Sequence, residues 1–243
     1  MGFSDDVTLK YDVVVHPSKS KGDKYLIVCH GFGDARIEFE EYEFLFSELV
    51  NDYSIVSFTF SKCDKKIYKV NSILEWVNNL EDVVSWIKSM NSKARITLFG
   101  ISMGAWVTTL YCCRNTSVCK NICVGPVFTL HTGMKSSGGV ALLFAQNKQL
   151  IELNGILVNR NFLESLINNQ PINQIIQGKY ITPTIMYVGG LDNIYRKTDV
   201  IMVESLLKER EVECASKVIR TGRHFINNVG AIEELTQHLK CII

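Results

Sequence analysis

The chain has 243 residues, 47% of them hydrophobic and 21% charged, which suits a packed globular protein and excludes a disordered or fibrous one. Formal net charge is +1, so bulk electrostatics draws the chain neither to nucleic acid nor to an anionic membrane. No apolar run reaches membrane-spanning length, and Met1-Gly2-Phe3-Ser4-Asp5-Asp6 lacks the basic and apolar regions of a secretory signal, so no stable membrane anchor is expected.

Taken in order, residues 7–16 read as a strand ended by Pro17, and residues 25–29 (Tyr-Leu-Ile-Val-Cys) as a strand buried on both faces. Residues 39–50 read as a helix and 53–60 as a strand. Ile73, Leu74, Val77, Leu80, Val83, Val84 and Ile87 recur at helical spacing and predict a helix over 73–90. A strand over 95–99, a helix over 104–113 and a strand over 121–127 follow. The alternation lapses over 128–180, then returns as a strand (181–188), a helix (200–210), a strand (213–219) and a helix (231–239). Strands alternating with helices predict an α/β fold with a mostly parallel central sheet flanked by helices. The segment 128–180 is too long for a simple connection and reads as a lid insertion over the sheet edge, within a single domain spanning 1–243.

The eight cysteines are Cys29, Cys63, Cys112, Cys113, Cys119, Cys123, Cys214 and Cys241. Only Cys119 and Cys123 approach zinc-ligand spacing, and no second pair matches them, so no metal site is expected. Cys29, Cys112, Cys113 and Cys123 lie in or beside apolar runs, where a free thiol packs as a small hydrophobe. Free thiols in a reducing cytoplasm are the expectation. Two basic stretches, Lys19, Lys21 and Lys24, and Lys62, Lys65 and Lys66, read as solvated loops.

The residues that carry chemistry begin with Gly100-Ile101-Ser102-Met103-Gly104, a G-x-S-x-G sequence between a predicted strand and a predicted helix. A serine at the apex of so sharp a turn needs small neighbours, because side chains there would clash with nearby backbone. Asp192 stands just past a predicted strand, after Gly189 and Gly190, as the candidate acid. Asp199 and Glu204 fall at or in the next helix. His224 lies in the loop after the last predicted strand, as the candidate base. His16 and His30 precede the serine, His131 begins the lid, and His238 sits in the terminal helix. His30 reads as a structural histidine that bonds loop backbone. The order Ser, Asp, His places all three residues at strand ends on one edge of a parallel sheet, where such sheets bind ligands.

With His30-Gly31-Phe32-Gly33, Glu38-Phe39, the serine motif, the insertion, Asp192 and His224, the chain resembles the α/β-hydrolase superfamily over nearly its whole length. Within it, the chain is most similar to small lidded esterases related to feruloyl and cinnamoyl esterases and monoacylglycerol lipases. That resemblance implies hydrolysis of carboxylic esters of small or medium acyl groups through an acyl-enzyme on Ser102, without a cofactor. It also implies an oxyanion hole from the backbone N–H groups of Phe32 and Met103, and a small-molecule ester as partner. Leu142, Leu143, Phe144 and Leu150 are candidates for the lid side of the pocket. One stretch departs from the pattern: such enzymes often end the strand before the serine-bearing one with an Asp and a glycine-containing loop, and here it reads Ser57-Phe58-Thr59-Phe60-Ser61-Lys62-Cys63-Asp64. A thioesterase or acyltransferase would use the same three side chains, and a ligand-binding receptor would keep the fold without turnover. A peptidase is a further alternative, though no added domain to admit peptides is seen.

Overall fold

The computed structural model describes residues 4–33, 36–61, 67–130, 149–153, 156–192 and 197–241. Lys62, Cys63, Lys65, Lys66, His131, Leu142, Leu143 and Phe144 lie outside the described residues, with the expectations placed on them.

A seven-stranded sheet runs in the order β1-β3-β2-β5-β6-β9-β10. Its members are β1 (Val14–His16), β2 (Lys24–Cys29), β3 (Ser54–Ser57), β5 (Arg95–Ile101), β6 (Val118–Val124), β9 (Thr184–Gly189) and β10 (Cys214–Ile219). Only the edge strand β1 is antiparallel to its neighbour; every other pairing is parallel. Helices α2 (Glu43–Leu49) and α8 (Val229–Lys240) cover one face; α3 (Ile73–Met90), α4 (Met103–Cys112) and α7 (Lys197–Lys208) cover the other.

The two-residue period of a strand explains why both faces are apolar. Along β2, Leu26 and Val28 join a core with Leu45 and Phe46 of α2 and Leu235 and Leu239 of α8. Ile27 and Cys29 point the other way, into a core with Trp76 and Val83 of α3 and Trp106 of α4. Helix α3 starts at Ser72, whose hydroxyl accepts from the Leu74 N–H at 3.2 Å, and it buries the face carrying Ile73, Trp76, Val77, Leu80 and Val84.

Residues 7–16 are not one strand: α1 (Ser4–Tyr11) occupies their first half, and β1 holds only Val14–His16. The alternation of Val7, Leu9 and Tyr11 mimics a strand, but a helix puts Val7 and Tyr11, four apart, on one face. Tyr11 is buried, and its hydroxyl donates to the Asp82 carboxylate of α3 at 2.5 Å, while Leu9 faces solvent. The strand expected over 53–60 stops at Ser57, because the Thr59 N–H leaves the sheet to bond the Tyr11 carbonyl at 2.7 Å. The helix expected over 39–50 is a 3-10 turn (Phe39–Tyr42) followed by α2.

Within 128–180, where the alternation of strands and helices lapses, the chain forms part of a second sheet. Strand β8 (Ile156–Asn159) lies between β4 (Ile67–Tyr68), which is parallel to it, and β7 (Leu150–Leu153), which is antiparallel. Two short helices follow, α5 (Arg160–Asn168) and α6 (Pro171–Ile176). The first of them is tied to the main body: the Ser165 hydroxyl accepts from the first-turn N–H of Ile73 at 2.8 Å, and the Trp106 indole donates to the Asn169 carbonyl at its C-terminal end at 3.1 Å.

Candidate active site

Strand β5 passes into α4 through a single residue. Ser102 adopts φ 53° and ψ −111°, a left-handed conformation that costs a non-glycine residue energy. Three backbone bonds hold it there. The Ser102 N–H donates to the Val124 carbonyl at 2.8 Å, and the Ser102 carbonyl accepts from Ala105 and Trp106 at 3.0 and 3.3 Å. Only glycine fits on either side. A methyl on Gly100 would lie 2.6 Å from Ala105 backbone, and one on Gly104 would overlap the Cys29 carbonyl beneath it. The local sequence therefore forces the Ser102 side chain out of the turn.

Asp192 follows β9, and its N–H returns to the Gly189 carbonyl at 3.2 Å. His224 lies in the loop after β10. These residues and Ser102 converge. The His224 ring bonds Asp192 Oδ2 through Nδ1 at 2.7 Å and Ser102 Oγ through Nε2 at 2.8 Å. The carboxylate is wholly buried, and Ser102 and His224 are 7% and 6% exposed, so the bonds are little weakened by water. An ionised Asp192 accepts from Nδ1–H, which leaves Nε2 as the acceptor for the serine proton. An arrangement of this kind can raise the nucleophilicity of a hydroxyl and stabilise the imidazolium formed when the proton moves.

Phe32 lies in the loop after β2, the strand beside β5, and Met103 opens α4. The Met103 N–H is in the first helical turn, where no intrahelical carbonyl can receive it. His30 organises the start of the Phe32 loop. Its Nε2 accepts from the Phe60 N–H at 3.1 Å, so Nδ1 carries the proton and donates to the Gly31 carbonyl at 2.9 Å. Burial lowers the His30 pKa to about 4, which keeps the ring neutral. Gly33, at φ +89°, passes so close to β8 that a methyl there would sit 3.1 Å from Ile156 Cδ1. Leu150 of β7 is exposed. Asp199, in the first turn of α7, accepts from the Thr129 hydroxyl at 2.8 Å, and Glu204 pairs with Lys208 at 2.5 Å.

Sequence reasoning missed the supports of the histidine loop. The Tyr42 hydroxyl donates to the Phe225 carbonyl, and Ile226 is fully buried in the left-handed region at φ 51°. Gly125, at φ +52° after β6, lies against the His224 backbone. Its only signal in the sequence is a Gly-Pro pair closing an apolar strand.

Among the described residues, no group of three His, Cys, Asp or Glu side chains is placed to hold a metal ion. No helix among them is long and apolar enough to cross a membrane.

Comparison with known proteins adds a family. A family model described as serine aminopeptidase, S33, matches residues 20–170, more than half of the chain, including Ser102. No curated protein sequence matches. Solved structures share the fold at low identity. Est1E of Butyrivibrio proteoclasticus, solved with ferulic acid bound, superposes with a TM-score of 0.77 at 15% identity over 95% of this chain and 92% of its own. A thermostable carboxyl esterase of Bacillus coagulans, solved with glycerol, gives 0.72 at 12% identity over 95% and 93%. An esterase of Pyrococcus furiosus gives 0.66 at 20% identity over 97% and 91%. The chain has the α/β-hydrolase fold and belongs to the serine aminopeptidase S33 family of serine hydrolases.

Proposed function

We propose that the protein hydrolyses carboxylic esters of small or medium acyl groups through an acyl-enzyme on Ser102. The observation that carries this reading is the buried chain from Asp192 through His224 to Ser102, with bonds of 2.7 and 2.8 Å. His224 Nε2 takes the Ser102 proton as Oγ bonds to the ester carbonyl carbon. The Phe32 and Met103 N–H groups receive the developing oxyanion. The imidazolium then gives its proton to the leaving alkoxide as the C–O bond breaks. Water, deprotonated by His224, attacks the acyl carbon; as the C–Oγ bond breaks and the carboxylic acid leaves, the imidazolium returns its proton to Ser102 Oγ. Asp192 holds the ring in the required tautomer throughout.

Residues 1–243 act as one domain in this reading, with the segment 128–180 as a lid. The approach of Ile156 to Gly33, close enough that a methyl there would crowd it, supports that role. The preference for esters draws support from fold relatives that are esterases, one of them holding ferulic acid.

The test is turnover of p-nitrophenyl esters of increasing acyl length, beside acyl thioesters and aminoacyl p-nitroanilides, by wild type and Ser102→Ala. The expected result is ester hydrolysis by wild type alone, exceeding anilide hydrolysis. Preferential anilide cleavage would replace the reading with an aminopeptidase, preferential thioester cleavage with a thioesterase, and no turnover of any of them with a ligand-binding role.

A further inference from the structure

In the sheet order, β5 and β10 are separated by β6 and β9. At the usual spacing the two strands lie about 14 Å apart, so the loop after β10 must double back over two strand ends before His224 reaches Ser102. It crosses them at backbone that lacks side chains. A methyl on Gly190 would sit 2.5 Å from the Arg220 carbonyl oxygen. One on Gly189 would overlap the carbonyl oxygens of Gly222 and Arg223 and lie 2.7 Å from the Gly222 carbonyl carbon. One on Gly125 would overlap the His224 carbonyl oxygen and approach the ring Nδ1 to 3.3 Å. The crossing is hydrogen-bonded as well as close: the Gly190 N–H meets the Ile219 carbonyl at 2.7 Å and the Leu191 N–H meets the Gly222 carbonyl at 2.9 Å. From the far side, the Tyr42 hydroxyl and the buried Ile226 hold the same loop.

We propose that Gly125, Gly189 and Gly190 form a platform at the ends of β6 and β9 on which residues 220–224 lie, and that Gly125 is a positioning residue that sets the distance from His224 to Ser102. The proposal rests on His224 acting as the base for Ser102. Gly125 touches no substrate; it acts by letting the His224 backbone approach as closely as it does. A side chain there would lift the loop, lengthen the 2.8 Å bond to Ser102 and leave the substrate pocket on the serine side in place.

The experiment compares Gly125→Ala and Gly190→Ala with Gly178→Ala. Gly178 is also left-handed, at φ +82°, but a methyl there would make only ordinary contact with Arg210 at 3.5 Å, and it precedes β9, at the strand end opposite Asp192. Each variant is read by melting temperature, by kcat and KM on a p-nitrophenyl ester, and by the rate at which a fluorophosphonate labels Ser102. The proposal expects Gly125→Ala to lose about 100-fold or more in kcat, the order reached when a reacting group is misplaced by about 1 Å. KM should stay within about twofold, and labelling should slow in step with kcat. Gly178→Ala should lose melting temperature and keep wild-type kcat. Gly190→Ala needs no left-handed backbone change, and it carries the test if Gly125→Ala does not fold; its kcat and labelling should also fall with KM retained. Wild-type kcat in either folded platform variant, or an equal loss in Gly178→Ala, would overturn the proposal. If wild type labels at Ser102 but cleaves no ester, the ester reading fails and the labelling rates still judge the platform. If wild type does not label at Ser102, the platform fails with the base it rests on.

Discussion

Asp192→Asn keeps the shape of the side chain and removes its charge, so it isolates what the buried carboxylate supplies. In the transition state His224 carries a positive charge beside Asp192, with Nδ1 and Oδ2 2.7 Å apart. Opposite unit charges with centres about 4 Å apart attract by about 4 kcal/mol at an effective dielectric constant of about 20, which is roughly three decades of rate. The carboxylate is wholly buried, so solvent does not screen this interaction away. A second loss adds to the first. An amide NH₂ turned toward Nδ1 favours the tautomer with the proton on Nε2, and that nitrogen can no longer accept from Ser102. The combined expectation is a kcat lower by about 10³- to 10⁴-fold with KM nearly unchanged. Initial-rate kinetics on a p-nitrophenyl ester, with folding checked by melting temperature, measures it. A loss below tenfold, or a loss carried by KM, would refute the reasoning.

His30 predicts a pH-dependent stability. Its folded pKa is about 4 against about 6.5 when unfolded, so between those values the unfolded chain binds a proton that the folded chain does not, and stability falls as pH drops. The expected loss is about 3 kcal/mol from pH 7 to pH 4, and urea unfolding of His30→Gln should show a flatter slope over that window; an unchanged slope would remove His30 from the account. Gly104→Ala places a methyl against the Cys29 carbonyl and should cost about 1–3 kcal/mol or more in denaturant unfolding, whereas a wild-type midpoint would contradict the packing at the turn. Burial pushes the Cys123 thiol up to about 12 and the Cys29 and Cys112 thiols higher still. In native protein, a thiol reagent mapped by mass spectrometry should therefore modify the exposed Cys119 and Cys241 well before these three.

Where local chemistry punctuates the chain, the sequence was enough to read the fold. Residues 25–29 are a short apolar run between Lys24 and His30, residues 95–99 (Arg-Ile-Thr-Leu-Phe) run up to Gly100, and both are central strands; the periodic run from Ile73 is the long helix α3. Reading failed where a distant partner decides the structure. Val7 to Tyr11 alternates like a strand, yet Asp82, far along the chain, receives the Tyr11 hydroxyl and fixes a helix. Strand β4 has two residues, too few for any periodicity, and exists because β8 pairs with it. The site divides in the same way. Ser102, Asp192 and His224 were legible because each follows a recognisable strand, and the sheet brings the three together. The route of the histidine loop was not legible, because Gly125 and Gly190 matter only through carbonyls that fold back onto them from residues 220–224.

The most direct test of the central claim is mass spectrometry of the protein after reaction with a fluorophosphonate, alongside ester turnover. The account predicts one adduct, on Ser102, with turnover lost in proportion to labelling and no adduct on His224→Ala at the same exposure. Labelling at another residue, or ester turnover that survives full modification of Ser102, would contradict it.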